Sequence, residues 1–225
     1  MQVRQATDVV EYPQKYGKNM VGGDTDDGAA GSDGSTGKAS APVAGHHRLP
    51  LPPPAVAFSS AQGKSLFRKA LLDGAAEGYY RLAENFHTQS EPAYCGLGTL
   101  VMVLNALDVD PGTKWKQNWR WYDEESFACC LDLEAVKRDG ITWRPWCQLA
   151  REHGLHLKPT LAANSTVETF RDAVRSITAR DDGRVLVVNY GRPAVNQVGN
   201  GHFSPVGAYV AEQDMVFVFD VARFK

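Results

Sequence analysis

Between about residue 60 and residue 177 the apolar side chains recur mostly at helical intervals, whereas from residue 185 to 221 they gather into short β-branched and aromatic runs. This change of period is the strongest constraint on the fold, because a 3.6-residue stripe and a two-residue alternation bury their faces differently. Helices first and strands afterwards is the α+β order, with helices packed on an antiparallel sheet. Ser59 with Gln62 forms a capping-box pattern that predicts a helix over 60–73, and a second helix follows over 75–86. Short helices over 131–139 and 145–153 are stopped by Gly140 and Gly154. Ser165 with Glu168 repeats the capping-box pattern and opens a helix over 166–177. Strands are predicted at 185–190, 202–210 and 215–221, with a further short one at 155–158.

The clearest helix carries Leu97, Leu100, Val101, Leu104 and Leu107 on its stripe, and Pro92 with small residues marks its entrance. Cys95 therefore falls in the first turn, facing unsatisfied backbone N–H groups and the positive end of the helix dipole. Both favour thiolate over thiol, and a thiolate is a nucleophile at neutral pH. Read alone, the same cysteine also fits a small buried hydrophobe opening a core helix.

A nucleophilic thiolate needs a base, and the base needs an orienting group. His202 opens a predicted strand directly after Asn200 and Gly201, and Asp220 closes the next apolar run. His87, His153 and His156 are alternative bases on residue type alone. The two strands are joined closely enough to form a hairpin, so register decides whether the side chains meet. A two-residue turn at Glu212 and Gln213 sends His202 and Asp220 to opposite faces. An odd loop, or a bulge, places Asp220 opposite Ser204 and diagonal to His202. A bulge or odd loop is therefore predicted.

The formal charge of -2 and pI near 6.3 give no general attraction to nucleic acid or anionic membrane. The basic and aromatic stretch from Lys114 to Trp121 is read as a Trp-rich packed connection, without the charge footprint of a nucleic-acid surface. No apolar run reaches the ~20 residues of a membrane helix, and the N-terminus lacks a secretory pattern. Four cysteines, two of them adjacent at Cys129 and Cys130, make a poor disulfide framework and fit a reducing, cytoplasmic setting. With Cys147, the adjacent pair offers soft thiolate ligands. Residues 1–48 are expected to be disordered: the stretch 22–37 alone holds six glycines and four aspartates with hardly any apolar residue.

Several blocks converge on one family. Thr88-Gln89-Ser90-Glu91-Pro92-Ala93-Tyr94-Cys95-Gly96, Leu104-Asn105-Ala106-Leu107 and Trp119-Arg120-Trp121 are three of them. Gly201-His202-Phe203-Ser204-Pro205 and Asp220-Val221-Ala222-Arg223-Phe224-Lys225 complete the series. Residues 49–225 thereby resemble the catalytic domain of phytochelatin synthase, the glutathione γ-glutamylcysteinyltransferase group of papain-like cysteine enzymes. The resemblance implies a papain-like α+β fold with the nucleophile helix on the sheet. It also implies a catalytic set of Cys95, His202 and Asp220, with the Gln89 amide as an oxyanion donor. Glu91 and Arg223 carry charges complementary to the α-amino group and carboxylate of a γ-glutamyl moiety, and Tyr94 and Gly201 are candidates to line the same cleft. Cys129 and Cys130 resemble cysteines that the family carries at this point, which makes them candidates for metal contact.

The activity so implied removes glycine from glutathione through a Cys95 thioester and transfers γ-Glu-Cys to a second glutathione or a phytochelatin. Cadmium or zinc would arrive mainly as glutathione thiolates and not as a fixed cofactor. Hydrolysis of the same thioester, or silent binding of soft metal by thiols, are the alternative outcomes. The expected partners are glutathione and phytochelatins, with a homodimer as the assembly the family implies. The chain stops just after the final block, so the domain is expected to be C-terminally incomplete.

Overall fold

The computed structural model describes the backbone of Thr7–Glu11 and residues 49–222. One antiparallel sheet holds β1 (Thr7–Glu11), β2 (His156–Thr160), β3 (Arg184–Tyr190), β4 (His202–Val210) and β5 (Met215–Val218), in the spatial order β2-β1-β3-β4-β5. The helices are α1 (Ala61–Leu72), α2 (Glu77–Glu84), α3 (Cys95–Ala106), α4 (Leu133–Asp139), α5 (Trp143–Glu152) and α6 (Val167–Thr178); all but α4 pack on the sheet, and α4 packs on the 3-10 turn Glu124–Cys129. This is the α+β architecture that the change of period predicts.

Helix entrances differ by one residue from expectation. Ser60, not Ser59, caps α1 by accepting from Gly63 N, and Thr166, not Ser165, caps α6 by accepting from Thr169 N. Adjacent hydroxyls compete for such a position, and the one immediately before the first helical residue reaches the third amide. A larger departure is β1. Disorder was expected across residues 1–48, yet Thr7–Glu11 pairs with both β2 and β3. The β-branched Thr7, Val9 and Val10 suit a pleated ladder, and pairing on both sides gives this short strand the neighbours that its local sequence cannot supply. The remainder of that expectation lies outside the described residues.

β3 shows how the core divides. Val185 and Val187 join the cluster built on α3, whereas Leu186 and Val188 pack with Val174 and Ile177 of α6. The strand is thus apolar on both faces. Helix α3 is buried almost along its whole length, which explains why its apolar stripe is so wide. Each fully buried Leu there contributes about 1.5–3 kcal/mol relative to exposure.

The β4–β5 hairpin decides the site. Val210 pairs with Met215 and Ala208 with Phe217, but Val206 pairs with Val218, so one extra residue, Gly207, is bulged out of β4. Side-chain parity reverses there: Val206 and Tyr209 share the α6 cluster, while Ala208 packs with α1 and α2 residues. Beyond the bulge Phe219 N donates to Pro205 O at 2.9 Å. Pro205 has no N–H to return the second bond, so regular pairing of β5 stops at Val218, short of the predicted residue 221. The register nevertheless carries on, placing Asp220 across from Ser204. The predicted bulge is present, on the strand and not in the turn.

Gly207 has a steric reason to be glycine: a Cβ would lie 2.5 Å from Phe219 Cε2 and 3.3 Å from Tyr79 Cα. Gly207→Ala is expected to cost about 1–3 kcal/mol in chemical denaturation, as overpacking does. Gly201→Ala, whose Cβ would meet Asn189 Oδ1 at 3.6 Å, serves as the near-neutral comparison. Equal stability of both variants would contradict this reading of the bulge.

Candidate active site

Cys95 is the first residue of α3, after an N-cap, Tyr94, that supplies no side-chain cap. The amides of this first turn have no intrahelical acceptor. Three contacts hold the turn against β4. Thr99 Oγ1 donates to Phe203 O at 3.1 Å, Trp146 Nε1 donates to Gly96 O at 2.9 Å, and the Trp146 ring stacks on Phe203 with centroids 5.2 Å apart. The approach requires Gly96, because a Cβ there would fall 2.3 Å from Ile141 Cγ2. Phe203 follows His202, so the contacts that seat the helix also bring thiol and imidazole together.

His202 is buried, and its Nε2–H donates to Asp220 Oδ1 at 2.7 Å. That oxygen also accepts from Ala222 N at 2.8 Å. With Nε2 engaged, Nδ1 is the nitrogen available to Cys95, and the two side chains share a hydrogen bond. Burial opposes the thiolate, but the His202 hydrogen bond and charge, a backbone contact from Phe203 and the Arg192 guanidinium outweigh it, lowering the Cys95 pKa below its ordinary value. Burial likewise opposes the imidazolium, and Asp220 with Cys95 outweighs it, raising the His202 pKa. The two shifts converge on a thiolate–imidazolium pair.

Arg192 was not singled out by sequence reasoning. Its Nη2 lies 3.0 Å from Nδ1 and 3.2 Å from Nε2 of His202. A group almost equidistant from both ring nitrogens sits over the ring face, not along an in-plane lone pair. Arg192 opens a 3-10 turn (Arg192–Val195) in the β3–β4 connection, and its Nη1 donates to Gln197 Oε1 at 2.7 Å. No periodic pattern marks that connection, which is why it went unnoticed.

The loop before α3 is braced from two sides. Gln89 N donates to Val221 O at 2.9 Å, and Gln89 Nε2 donates to Glu91 O and Pro92 O, both at 2.8 Å. Its amide hydrogens are therefore engaged by the loop's own carbonyls. Glu124, also missed, is a buried carboxylate that accepts from Ser90 N and Ser90 Oγ and lies 3.1 Å from His87 Nε2. A lone Glu opening an unpredicted 3-10 turn (Glu124–Cys129) leaves no recognisable signal in sequence.

Other candidates have local roles. Glu91 pairs with Lys137 Nζ at 2.7 Å, and the buried Tyr94 donates its hydroxyl to Leu133 O at 3.1 Å. Gly201 is exposed just before His202, and Arg223 lies outside the described residues. Of the alternative bases, His87 contacts Glu124, His156 is exposed on β2, and His153 stands beside Cys129 and Cys130. Cys147, grouped with that pair on residue type, is instead buried in the core. The Trp-rich connection is not packed as expected: Trp115, Trp119 and Trp121 are exposed around a small turn bridged at Lys116 and Trp119, and Trp115 is held locally by Asp123 and Lys116.

Thiolate reactivity should therefore begin below the ordinary cysteine pKa of about 8.5. In a pH–rate profile for iodoacetamide alkylation of Cys95, read by peptide mass spectrometry, His202→Ala should shift the rise to higher pH. Removing the imidazole leaves burial to dominate, so the rate near pH 6 should fall roughly tenfold or more. An unmoved profile would separate the two side chains.

A family model described as phytochelatin synthase matches residues 46–225. Over 183 residues the chain is 50% identical to glutathione gamma-glutamylcysteinyltransferase 3 of Lotus japonicus, covering 81% of this chain and 38% of that protein. It is 47% identical to glutathione gamma-glutamylcysteinyltransferase 1 of Arabidopsis thaliana, covering 81% of this chain and 38% of that one. Against the Schizosaccharomyces pombe glutathione gamma-glutamylcysteinyltransferase the identity is 40%, with 80% of this chain and 43% of that one covered. The chain thus spans about two fifths of the length of these relatives. With the match covering most of its residues, the chain belongs to the phytochelatin synthase family.

Proposed function

We propose that this chain carries the catalytic unit of a glutathione γ-glutamylcysteinyltransferase on a papain-like plan. The observation that carries the reading is the Cys95–His202–Asp220 series around a buried imidazole, with the thiol pKa lowered and the imidazole pKa raised. In the first step the Cys95 thiolate adds to the carbonyl carbon joining cysteine to glycine in glutathione. The Cys95 N–H, free at the first turn, donates to the developing oxyanion, and Gln89 joins by giving up one of its loop bonds. The C–N bond then breaks, the glycine nitrogen takes the proton from His202, and γ-Glu-Cys remains as a thioester.

In the second step the α-amino group of another glutathione, or of a phytochelatin, attacks the thioester and loses a proton to His202. The C–S bond breaks, Cys95 is restored as thiolate, and the product is longer by one γ-Glu-Cys unit. Asp220 keeps the imidazole oriented through both transfers. Cadmium or zinc enters as part of the substrate, as a glutathione thiolate. Four free cysteines and a thiolate nucleophile suit a reducing compartment such as the cytoplasm. Among the described residues no helix is long and apolar enough to cross a membrane.

Incubation with glutathione and cadmium, followed by separation of the thiol products, tests the reading. A product with two γ-Glu-Cys units together with free glycine is expected. Cys95→Ser should abolish both, and His202→Ala should lower kcat by about 10² to 10⁴. γ-Glu-Cys alone would make the chain a hydrolase, and no glycine release would leave only thiol-based metal binding. Activity should require a pH above the Cys95 pKa and below the His202 pKa, so the kcat/KM profile is expected to be bell-shaped.

A further inference from the structure

We infer that Glu124 is a positioning residue of the acyl transfer proposed above, on which this inference rests: it holds the loop that carries Gln89. The side chain is buried, and a buried carboxylate persists only where donors replace the water it has lost. Its partners come from one short segment. Ser90 N donates to the two oxygens at 3.1 and 3.2 Å, Ser90 Oγ donates to Oε2, and His87 Nε2 lies 3.1 Å from Oε1. His87 and Ser90 bracket Gln89 in the chain, so one carboxylate grips both flanks of the amide.

Glu124 is itself fixed relative to the nucleophile helix. Asn105 of α3 accepts from Tyr122 N at 3.1 Å and donates to Tyr122 O at 3.0 Å, two residues before Glu124. Asp123 then caps the 3-10 turn by accepting from Ser126 N at 3.0 Å. A Cβ on Gly98, three residues after Cys95, would lie 3.3 Å from both Glu124 Oε1 and His87 Cδ2 and 3.4 Å from Gln89 Cβ. Helix, turn and loop thus close a circuit that sets Gln89 against the start of α3. Gln89 needs this outside support, because its Oε1 is buried with no hydrogen-bond partner among the described residues. A loop left to itself would relax to satisfy that oxygen, and the grip on its flanks prevents it.

The task suits a carboxylate. Ionised glutamate only accepts, so its two oxygens serve an amide, a hydroxyl and an imidazole N–H together. Glutamine has the same shape but turns an NH2 group toward one of those donors. Glu124→Gln should therefore loosen the loop while filling the same volume. The Cys95 thiolate is supported by His202, Phe203 and Arg192, none of which belongs to this loop, so its formation should survive the change.

The test is glycine release from glutathione in the presence of cadmium by the full chain and its variants. No release from the unmodified chain would overturn the acyl-transfer reading, and this inference with it. With that release present, Glu124→Gln should lower kcat roughly tenfold to a hundredfold, with KM and the rate of Cys95 alkylation by iodoacetamide changed less than about threefold. Added to Gln89→Ala, the same substitution should cost no more than about a further twofold, because the amide it positions is already gone. Ser90→Ala, at an exposed position, removes one donor without emptying the core. It should lower kcat about threefold or more with the same dependence on Gln89, which decides the matter where Glu124→Gln does not fold. An unchanged kcat, a loss that multiplies in full on Gln89→Ala, or an alkylation rate that falls with kcat would overturn the positioning role.

Discussion

The meeting of His202 and Asp220 depends on a one-residue slip at Gly207. Without it, β4 and β5 would keep the pairing seen at Val210 and Met215 through to the end of the hairpin, and Asp220 would leave on the wrong face for His202. With it, the two side chains meet at 2.7 Å across strands whose turn lies at the far end of the hairpin. The slip is held by packing: Phe219 and Tyr79 occupy the space that any side chain at 207 would need. Pro205 adds a second constraint, releasing the strand from its ladder just where the carboxylate must turn toward the imidazole.

Electrostatics at the site is a contest in which burial acts against both partners. Desolvation disfavours thiolate and imidazolium separately, but each ion is the other's counter-charge, so each favours the other's charged form. Asp220 supports the imidazolium side of this pair. Arg192 supports the thiolate side and, as a like charge over the ring, works against the imidazolium. Asp220 therefore has two tasks: it fixes the ring, and it offsets a cation that the β3–β4 connection places on top of that ring. The imidazole is thus flanked by one anion and one cation, and the connection that carries the cation is pinned through Gln197.

Much of this was legible in the sequence because it rests on periodic or paired signals. The wide apolar stripe from Leu97 to Leu107 places Cys95 at a helix start, and parity arithmetic on the hairpin requires a bulge if His202 is to meet Asp220. What was illegible depends on contacts between distant segments. Thr7–Glu11 is a strand because both flanks find partners, not because its own five residues demand it. Glu124 and Arg192 sit on 3-10 turns, whose few residues leave no period to detect. Ser59 and Ser165 each lie one residue too early as caps, because sequence shows which hydroxyls are nearby but not at which residue the helix begins.

Under the proposed mechanism, the loop before Cys95 gives its two candidate oxyanion donors, the Gln89 amide and the Cys95 N–H, unequal parts. The Gln89 amide already serves the Glu91 and Pro92 carbonyls, so donation to a developing oxyanion exchanges one bond for another. Glu91 O also accepts from Tyr94 N and Pro92 is exposed, so releasing either bond costs only the net worth of a hydrogen bond, about 0.5–1.5 kcal/mol. A charge-assisted bond to the proposed oxyanion must exceed that. The Cys95 amide carries no such debt, since a first-turn N–H has no helical acceptor to abandon. In the proposed acyl transfer, stabilisation of the tetrahedral intermediate would therefore begin with the backbone of Cys95 itself. Gln89 adds to it only as the negative charge grows, and an interaction that strengthens on the way to the transition state raises kcat without tightening the ground state.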